Sequence, residues 1–213
     1  MSELLNQAKA LAPEIVRWRR HIHENPEVSA VLPNTCAYVT AELRKMGYEP
    51  YEVGGGVVAM LDGQPDGKVI LLRADMDALP MAEESGEPFA SKNPHAAHTC
   101  GHDTHTAMLL GAAKILCEVK DELEGNVKLL FQAAEETCFG AEYYVQQGVL
   151  DGVDAIYGQH IWAGLEAPYL NVQPGVRMAS CDNFTITVEG SSTHGSTPHL
   201  GTDAIVAAAS ILM

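Results

Sequence analysis

The feature that most constrains the fold is a set of short apolar runs that alternate with helical segments. The runs are GVVAML (56–61), KVILLRAD (68–75), NVKLLFQ (126–132) and DAIYGQH (154–160). Continuous apolar runs of this length, bounded by turn-forming or polar residues, predict strands. Helical patterns at 2–22, 34–46 and 105–119 lie beside them, the last with Asp103 or Thr104 as its cap. The alternation predicts an α/β fold with a mostly parallel sheet flanked by helices.

The pattern changes after about residue 174. NFTITVEG (183–190) alternates apolar with polar residues and predicts a strand with one solvent-facing side. GTDAIVAAASILM (201–213) predicts the start of a helix capped by Thr202 or Asp203. We therefore expect a first domain over 1–174 and the beginning of a smaller α/β domain over 175–213.

Composition excludes several classes of protein. Apolar residues make up 46% of the chain, enough for a globular core, and the formal net charge of -15 disfavours nucleic acid as a partner. No apolar run is long enough to span a bilayer, and the N-terminus lacks the core of a signal peptide. The five cysteines are scattered and odd in number, which favours a reducing, cytoplasmic location over a disulfide framework.

Ionisable residues follow the predicted strands where each strand ends. Asp75 and Asp77 follow one, Glu135 and Glu136 another, and His160 a third. In a parallel sheet these carboxyl ends share one edge, where ligands bind. Taken alone, an acidic pair is more often a solvated turn and a single histidine more often a satisfied polar residue. Together they predict a cation site, because burying so many ionisable groups without a cation is unfavourable.

The segment HTCGHDTH (98–105) adds further metal-binding side chains. Cys100 and His102 flank a glycine, so both side chains can turn towards one ion. Thiolate, imidazole and carboxylate together suit a divalent ion such as Zn, Mn, Co or Ni. Of the adjacent glutamates, one can bind the metal while the other acts as general base for a metal-activated water.

Several motifs, in order, resemble those of the dimetal amidohydrolases, the metallopeptidase family of aminoacylase, hippurate hydrolase and indole-acetyl-amino-acid hydrolase. They are RRHIHENPEVS, LLRADMDALPM, HTCGHDTHTAMLLGAA, LLFQAAEE and GQHIW, and the resemblance extends from about residue 17 to 206. It implies a catalytic domain of the dimetal exopeptidase type, followed by the start of a lid domain. It also implies two divalent ions, an N-acyl amino acid as substrate and a homo-oligomer formed through the lid.

The resemblance also implies roles for individual residues. The metal ligands are Cys100, His102, Glu136 and His160. Glu135 is the general base and acid, and Asp77 is a supporting carboxylate. The segment GSSTHGSTPH (190–199) is similar to the family's lid motif and makes His194 the residue that polarises the scissile carbonyl.

The sequence departs from the family pattern at Thr99, Thr104, Ala133 and the residues before His194. Family members are also longer and supply a late histidine to the second metal, so we expect this chain to be an N-terminal portion. Two alternatives to an active amidohydrolase stay open: an inactive metal-binding fragment, and a cysteine hydrolase with Cys100 as nucleophile and His102 or His105 as base.

Overall fold

The computed structural model describes residues 3–138, 140–180 and 182–213. The chain divides into two compact units, Met1–Gln173 and Pro174–Met213. The α-helices are α1 (Glu3–Ala10), α2 (Ala12–Glu24), α3 (Pro33–Lys45), α4 (His102–Glu118), α5 (Gly140–Gln146) and α6 (Ala204–Leu212). The strands are β1 (Tyr51–Val53), β2 (Gly56–Asp62), β3 (Val69–Asp75), β4 (Asn126–Gln132) and β5 (Ala155–Gly158). Single turns of 3-10 helix occupy Lys120–Glu122, Glu135–Thr137 and Pro198–Leu200.

The five strands form one sheet in the order β1-β2-β4-β3-β5. β3 pairs in parallel with both β4 and β5, whereas β2 pairs antiparallel with both β1 and β4. The predicted α/β fold is confirmed. Its parallel part consists of β4, β3 and β5, and the sheet as a whole is mixed. Because Asp75 pairs with Gln132 and Arg73 with Gly158, these three strands end at the same edge.

β1 is absent from the sequence-based prediction because it has only three residues. Val53 pairs with Gly56 across a two-residue turn, and both turn residues, Gly54 and Gly55, have positive φ. Two-residue hairpin turns favour glycine because their backbone twist requires positive φ. This hairpin makes β1 and β2 antiparallel, and β2 is also antiparallel to β4.

Alternate residues of the central strands pack on opposite faces of the sheet. Leu129 and Phe131 of β4 belong to a large core cluster with Trp18 of α2 and Leu110 of α4. Leu130, between them in β4, belongs to a smaller cluster on the other face. The helices α2, α3 and α4 thus cover one face, and the two-residue period buries both faces of β4. β5, at the end of the sheet, is exposed throughout.

Two predicted helix boundaries were wrong. The segment 2–22 forms two helices, with Leu11 between them and Pro13 near the start of the second; Ser2 lies outside the described residues. α4 begins at His102, with Gly101 as its N-cap, so neither Asp103 nor Thr104 caps it. The Asp103 carboxylate instead accepts hydrogen bonds from Arg19 and His23 of α2, and from the hydroxyl of the neighbouring Thr104.

The predicted strand in the second unit was also wrong, since the described residues 182–190 form no strand. A strand needs a neighbour for its backbone N–H and C=O groups, and among the described residues of this unit the pairing is a bridge between Ser191 and Thr202. The predicted cap of the last helix is confirmed at Asp203, whose carboxylate accepts hydrogen bonds from the amides of Ile205 and Val206.

Among the described residues, no helix has the length and apolar character needed to cross a membrane. Cys36, Cys100 and Cys117 carry free thiols. Cys181, also counted in the sequence, lies outside the described residues.

Candidate metal centre

Three loops at the carboxyl edge of β3, β4 and β5 bring together the predicted donor residues. Cys100 and His102 lie at the start of α4. Glu135 and Glu136 form the 3-10 turn that follows β4, and His160 follows β5. These side chains therefore meet at the carboxyl edge of the parallel strands, as the sequence predicts.

The donor atoms form one cluster around His102. Donor atoms of Cys100, His102 and His160 lie within 4.8 Å of one another, and so do those of His102, Glu135 and Glu136. His102 Nε2 is 3.8 Å from Glu135 Oε2 and 3.8 Å from Glu136 Oε1. Cys100 Sγ is 3.4 Å from His160 Nε2. A thiol, two imidazoles and two carboxylates at this spacing form a donor set for divalent cations.

Gly101 lets Cys100 and His102 turn towards the same point. Its φ of +94° lies in the left-handed region, which favours glycine. A Cβ atom at this position would lie 2.3 Å from Ile161 Cδ1, so the loop after β5 packs directly on the glycine. Gly101 therefore sets the direction of two donor side chains and makes room for the segment that carries a third.

Asp77 forms hydrogen bonds to His102 and to the two glutamates of the cluster. Its carboxylate oxygens accept hydrogen bonds from the backbone amides of Glu135 and Glu136, each at 3.1 Å. Its backbone oxygen lies 2.7 Å from His102 Nδ1 and accepts a hydrogen bond from that nitrogen. The residue before the glutamates, Ala134, has a φ of +60°, which turns the chain so that both amides face Asp77. Asp77 thus lies behind the donors and orients them.

Two buried polar atoms of the cluster have no hydrogen-bond partner among the described residues, namely His102 Nε2 and Glu136 Oε1. The His102 side chain is 0% exposed. In the neutral ring Nδ1 donates to Asp77, so Nε2 carries a lone pair, and it lies 3.8 Å from an oxygen of each glutamate. A buried acceptor without a donor is unfavourable, and a cation between these atoms would satisfy both. The residues therefore fit a metal ion.

The electrostatic field at the cluster is strongly negative. Burial, followed by the negative charge of Glu136, raises the pKa of the Cys100 thiol to about 12. Burial also raises the pKa of Glu135. At His102 burial acts to lower the pKa, but the hydrogen bond to Asp77 and the charge of Asp75 outweigh it, so that the pKa is raised. Each shift opposes further negative charge and favours a cation.

Two further residues join the cluster, and the family resemblance gives neither of them a role. The imidazole of His105 is hydrogen-bonded to Asp75, with 2.6 Å between Nδ1 and Oδ1. Asp75 Oδ2 also lies 3.7 Å from His102 Nε2. One signal was present in the sequence: His105 lies three residues after His102, which places both on one face of a helix.

His194 belongs to the second unit and is exposed there. Its Nδ1 is 2.8 Å from Ser196 Oγ, and its backbone oxygen accepts a hydrogen bond from the amide of Thr197. These contacts are those of a histidine in a serine- and threonine-rich turn.

The geometry disfavours a cysteine nucleophile. A thiol with a pKa of about 12 carries almost no thiolate near neutral pH, whereas catalytic cysteines have lowered pKa values. Both ring nitrogens of His105 are also occupied, by Asp75 and by the amide of Ile161, so this residue has no lone pair for a thiol proton.

Comparison with known proteins identifies a matching family and several similar relatives. Residues 71–212 match the sequence model of peptidase family M20/M25/M40. The N-acyl-L-amino acid amidohydrolase of Geobacillus stearothermophilus is 44% identical over 204 residues, covering 93% of this chain and 55% of that protein. The N-acetyl-L-cysteine deacetylase of Bacillus subtilis (strain 168) is 40% identical over 205 residues, covering 95% of this chain and 49% of that protein.

A similar solved structure is that of the Bacillus subtilis YXEP protein, described as a dinuclear metal binding peptidase from the M20 family. It superimposes with a TM-score of 0.71 at 41% identity, covering 74% of this chain and 45% of that one. The chain spans about half the length of the curated relatives it matches.

Proposed function

Because this chain belongs to peptidase family M20/M25/M40, we propose that it forms the metal-binding part of a metal-dependent amidohydrolase that cleaves the amide of N-acyl amino acids. The observation that carries the proposal is the cluster around His102, where two buried acceptor atoms of a mixed thiol, imidazole and carboxylate set have no partner among the described residues. The relatives named above as an N-acyl-L-amino acid amidohydrolase and an N-acetyl-L-cysteine deacetylase support this substrate class.

In this proposal Cys100, His102, Glu136 and His160 hold two divalent ions of the Zn, Mn, Co or Ni type, with Asp77 behind them. When bound, the ions would supply Lewis acidity, which polarises a carbonyl and makes a water molecule more acidic. The dinuclear metal site named for the Bacillus subtilis structure supports the number of ions. The mixed set of sulfur, nitrogen and oxygen donors suits each of these four metals and does not distinguish between them.

Glu135 is the proposed general base. Its side chain is 37% exposed, against 22% for Glu136, so it is the more accessible carboxylate for a water molecule and a substrate. Glu135 takes a proton from the attacking water and later delivers it to the amide nitrogen as the C–N bond breaks. The products are a carboxylic acid and a free amino acid.

His194 is the proposed residue that polarises the scissile carbonyl, on the strength of the segment GSSTHGSTPH. We also propose that residues 1–174 form the catalytic domain, that residues 175–213 begin the lid, and that the protein is a cytoplasmic homo-oligomer formed through that lid. The exposed apolar side chains of the second unit support a surface that becomes covered, with Phe184 82% and Ile186 54% exposed.

The proposal is tested by metal removal and replacement in the complete gene product. Dialysis against a chelator should abolish hydrolysis of N-acetyl amino acids, because the Lewis acid is removed with the ion. Addition of Mn²⁺, Co²⁺ or Zn²⁺ should restore it. Full activity in a preparation shown by mass spectrometry to be metal-free would contradict the proposal.

A further inference from the structure

His105 is a buried histidine beside the donor cluster whose ring nitrogens are both occupied. It lies in the first turn of α4 and is 3% exposed. Its Nδ1 is 2.6 Å from Asp75 Oδ1, and its Nε2 is 2.9 Å from the backbone nitrogen of Ile161. These contacts link the end of β3, the start of α4 and the loop after β5.

The partners of His105 determine its tautomer. A backbone amide can only donate, so Nε2 must accept the hydrogen bond from Ile161. The ring proton is therefore on Nδ1, where the Asp75 carboxylate accepts it. Asp75 is held in place by Arg73 Nη1 at 2.8 Å, and its backbone oxygen accepts a hydrogen bond from the hydroxyl of Thr106 at 2.9 Å. The His105 ring is thus fixed on both sides.

The backbone of Ile161 carries this constraint to His160. The carbonyl oxygen of Ile161 contacts His160 Nδ1, so the same residue bonds to His105 through its N–H and to His160 through its C=O. With Nδ1 donating, His160 Nε2 carries the lone pair and faces Cys100 Sγ at 3.4 Å. β5 has only four residues, all of them exposed, and the bond from His105 to Ile161 restrains the loop that carries His160.

Donor atoms of Asp75, His102 and His105 also lie within 4.8 Å of one another, a spacing that would allow His105 to be a metal ligand. The hydrogen bonds argue against it. Both nitrogens of His105 are in use, whereas Nε2 of His102 has no partner among the described residues. A ligand needs a lone pair directed at the ion, whereas the lone pair of His105 accepts a hydrogen bond from the amide of Ile161.

We propose that His105 is a positioning residue that orients His160 for metal binding through the backbone of Ile161, with Asp75 fixing its tautomer. The inference rests on the proposed function, because it assumes that His160 is a ligand. It predicts an effect on metal affinity without a change in the number of ions bound.

The test is metal binding by this chain, measured for Co²⁺ by competition with a chromophoric chelator and by the visible spectrum of bound Co²⁺. His105→Leu removes both hydrogen bonds at similar size and should weaken Co²⁺ binding by roughly 10–100-fold, the usual effect of losing a residue that orients a ligand. His105→Gln places an amide oxygen near the position of Nε2 and should recover part of the affinity. The number of ions at saturation should stay that of the unsubstituted chain.

His95, an exposed histidine of the same unit, provides the control as His95→Leu and should bind Co²⁺ like the unsubstituted chain. If His105→Leu does not fold, His105→Gln is compared with the unsubstituted chain instead. Weaker Co²⁺ binding and a shifted Co²⁺ spectrum in His105→Gln would then support the inference. Unchanged affinity and spectrum in the folded variants, or the loss of one ion at saturation, would overturn it. Failure of the unsubstituted chain to bind metal would overturn the proposed function and this inference with it.

Discussion

Glu135 and Glu136 are adjacent, and Asp77 holds the backbone amides of both, but their side chains lie in different surroundings. Glu136 has a buried oxygen without a partner among the described residues, whereas Glu135 is the more exposed of the two. The first situation suits a ligand and the second a general base.

Substitution of each glutamate by glutamine separates these roles. Glu135→Gln should lower the hydrolysis rate of the complete gene product by roughly 10²–10⁴-fold while the metal content stays near normal, because the amide cannot accept a proton. Glu136→Gln should lower the metal content, with activity partly recovered in excess metal. Mass spectrometry of bound metal beside initial rates measures both. The assignment is reversed if Glu135→Gln loses metal and Glu136→Gln keeps it.

His23 is held between two carboxylates, and this arrangement makes stability depend on pH. Its Nδ1 is 2.8 Å from Asp103 Oδ2 and its Nε2 is 3.0 Å from Glu83 Oε1. The hydrogen bond to Asp103 raises the pKa of His23, with burial acting against it and Glu83 adding to the rise. The charged form is therefore favoured in the folded state. Its contribution is fully present below the unfolded pKa of about 6.5 and is lost as the pH rises through the higher folded pKa.

We expect His23→Gln to lower the free energy of unfolding by about 1–3 kcal/mol near pH 6, and by less as the pH is raised towards about 9. Urea denaturation in the presence of a chelator measures this without a contribution from metal binding. His21→Gln is a control of opposite sign, because burial lowers the pKa of His21 and its contribution is lost as the pH falls. An effect of His23→Gln that does not vary with pH would contradict the charged assignment.

At the scale of elements, the loop that enters α4 depends on one glycine. Gly101 and Gly47 have nearly the same φ, +94° and +92°, but a Cβ at Gly101 would meet Ile161 whereas a Cβ at Gly47 meets nothing within 4 Å. Alanine at either position should lower stability by about 1–2 kcal/mol, the penalty of the left-handed region for a residue with a Cβ.

Only Gly101→Ala should also weaken metal binding. The added Cβ forces Ile161 to move, and the preceding residue, His160, moves with it. Thermal unfolding and Co²⁺ titration of both variants measure the two effects. Equal metal affinity in Gly101→Ala and Gly47→Ala would show that the packing of Ile161 on the glycine does not position the donors.

The elements also show how far the sequence predicts this fold. β3 and β4 were predictable because their apolar runs are continuous and end at polar residues. β1 was not, because it has only three residues, and the antiparallel pairing of β2 with β4 joins segments far apart along the chain. The role of His105 was hidden for a related reason, since its partners Asp75 and Ile161 lie 30 and 56 residues away along the chain. Contacts of that separation leave no local pattern.

At the scale of the whole molecule, the chain carries the donor cluster at a sheet edge in one unit and His194 in the other. The sequence could predict the donor cluster because three neighbouring parallel strands each deliver donors to one edge. It wrongly predicted a strand over 183–190, because an alternating pattern indicates which side of a strand is wet but not which segment will pair with it.

The central claim is that Cys100, His102, Glu136 and His160 bind divalent ions, and Co²⁺ binding tests it most directly. A cobalt–thiolate bond gives a near-ultraviolet charge-transfer absorption that imidazole and carboxylate ligands do not give. The unsubstituted chain should bind Co²⁺ and show this absorption. Cys100→Ser should lose the absorption and bind more weakly, while His95→Gln should behave like the unsubstituted chain. The account is contradicted if the unsubstituted chain binds no Co²⁺, or if Cys100→Ser retains the charge-transfer absorption.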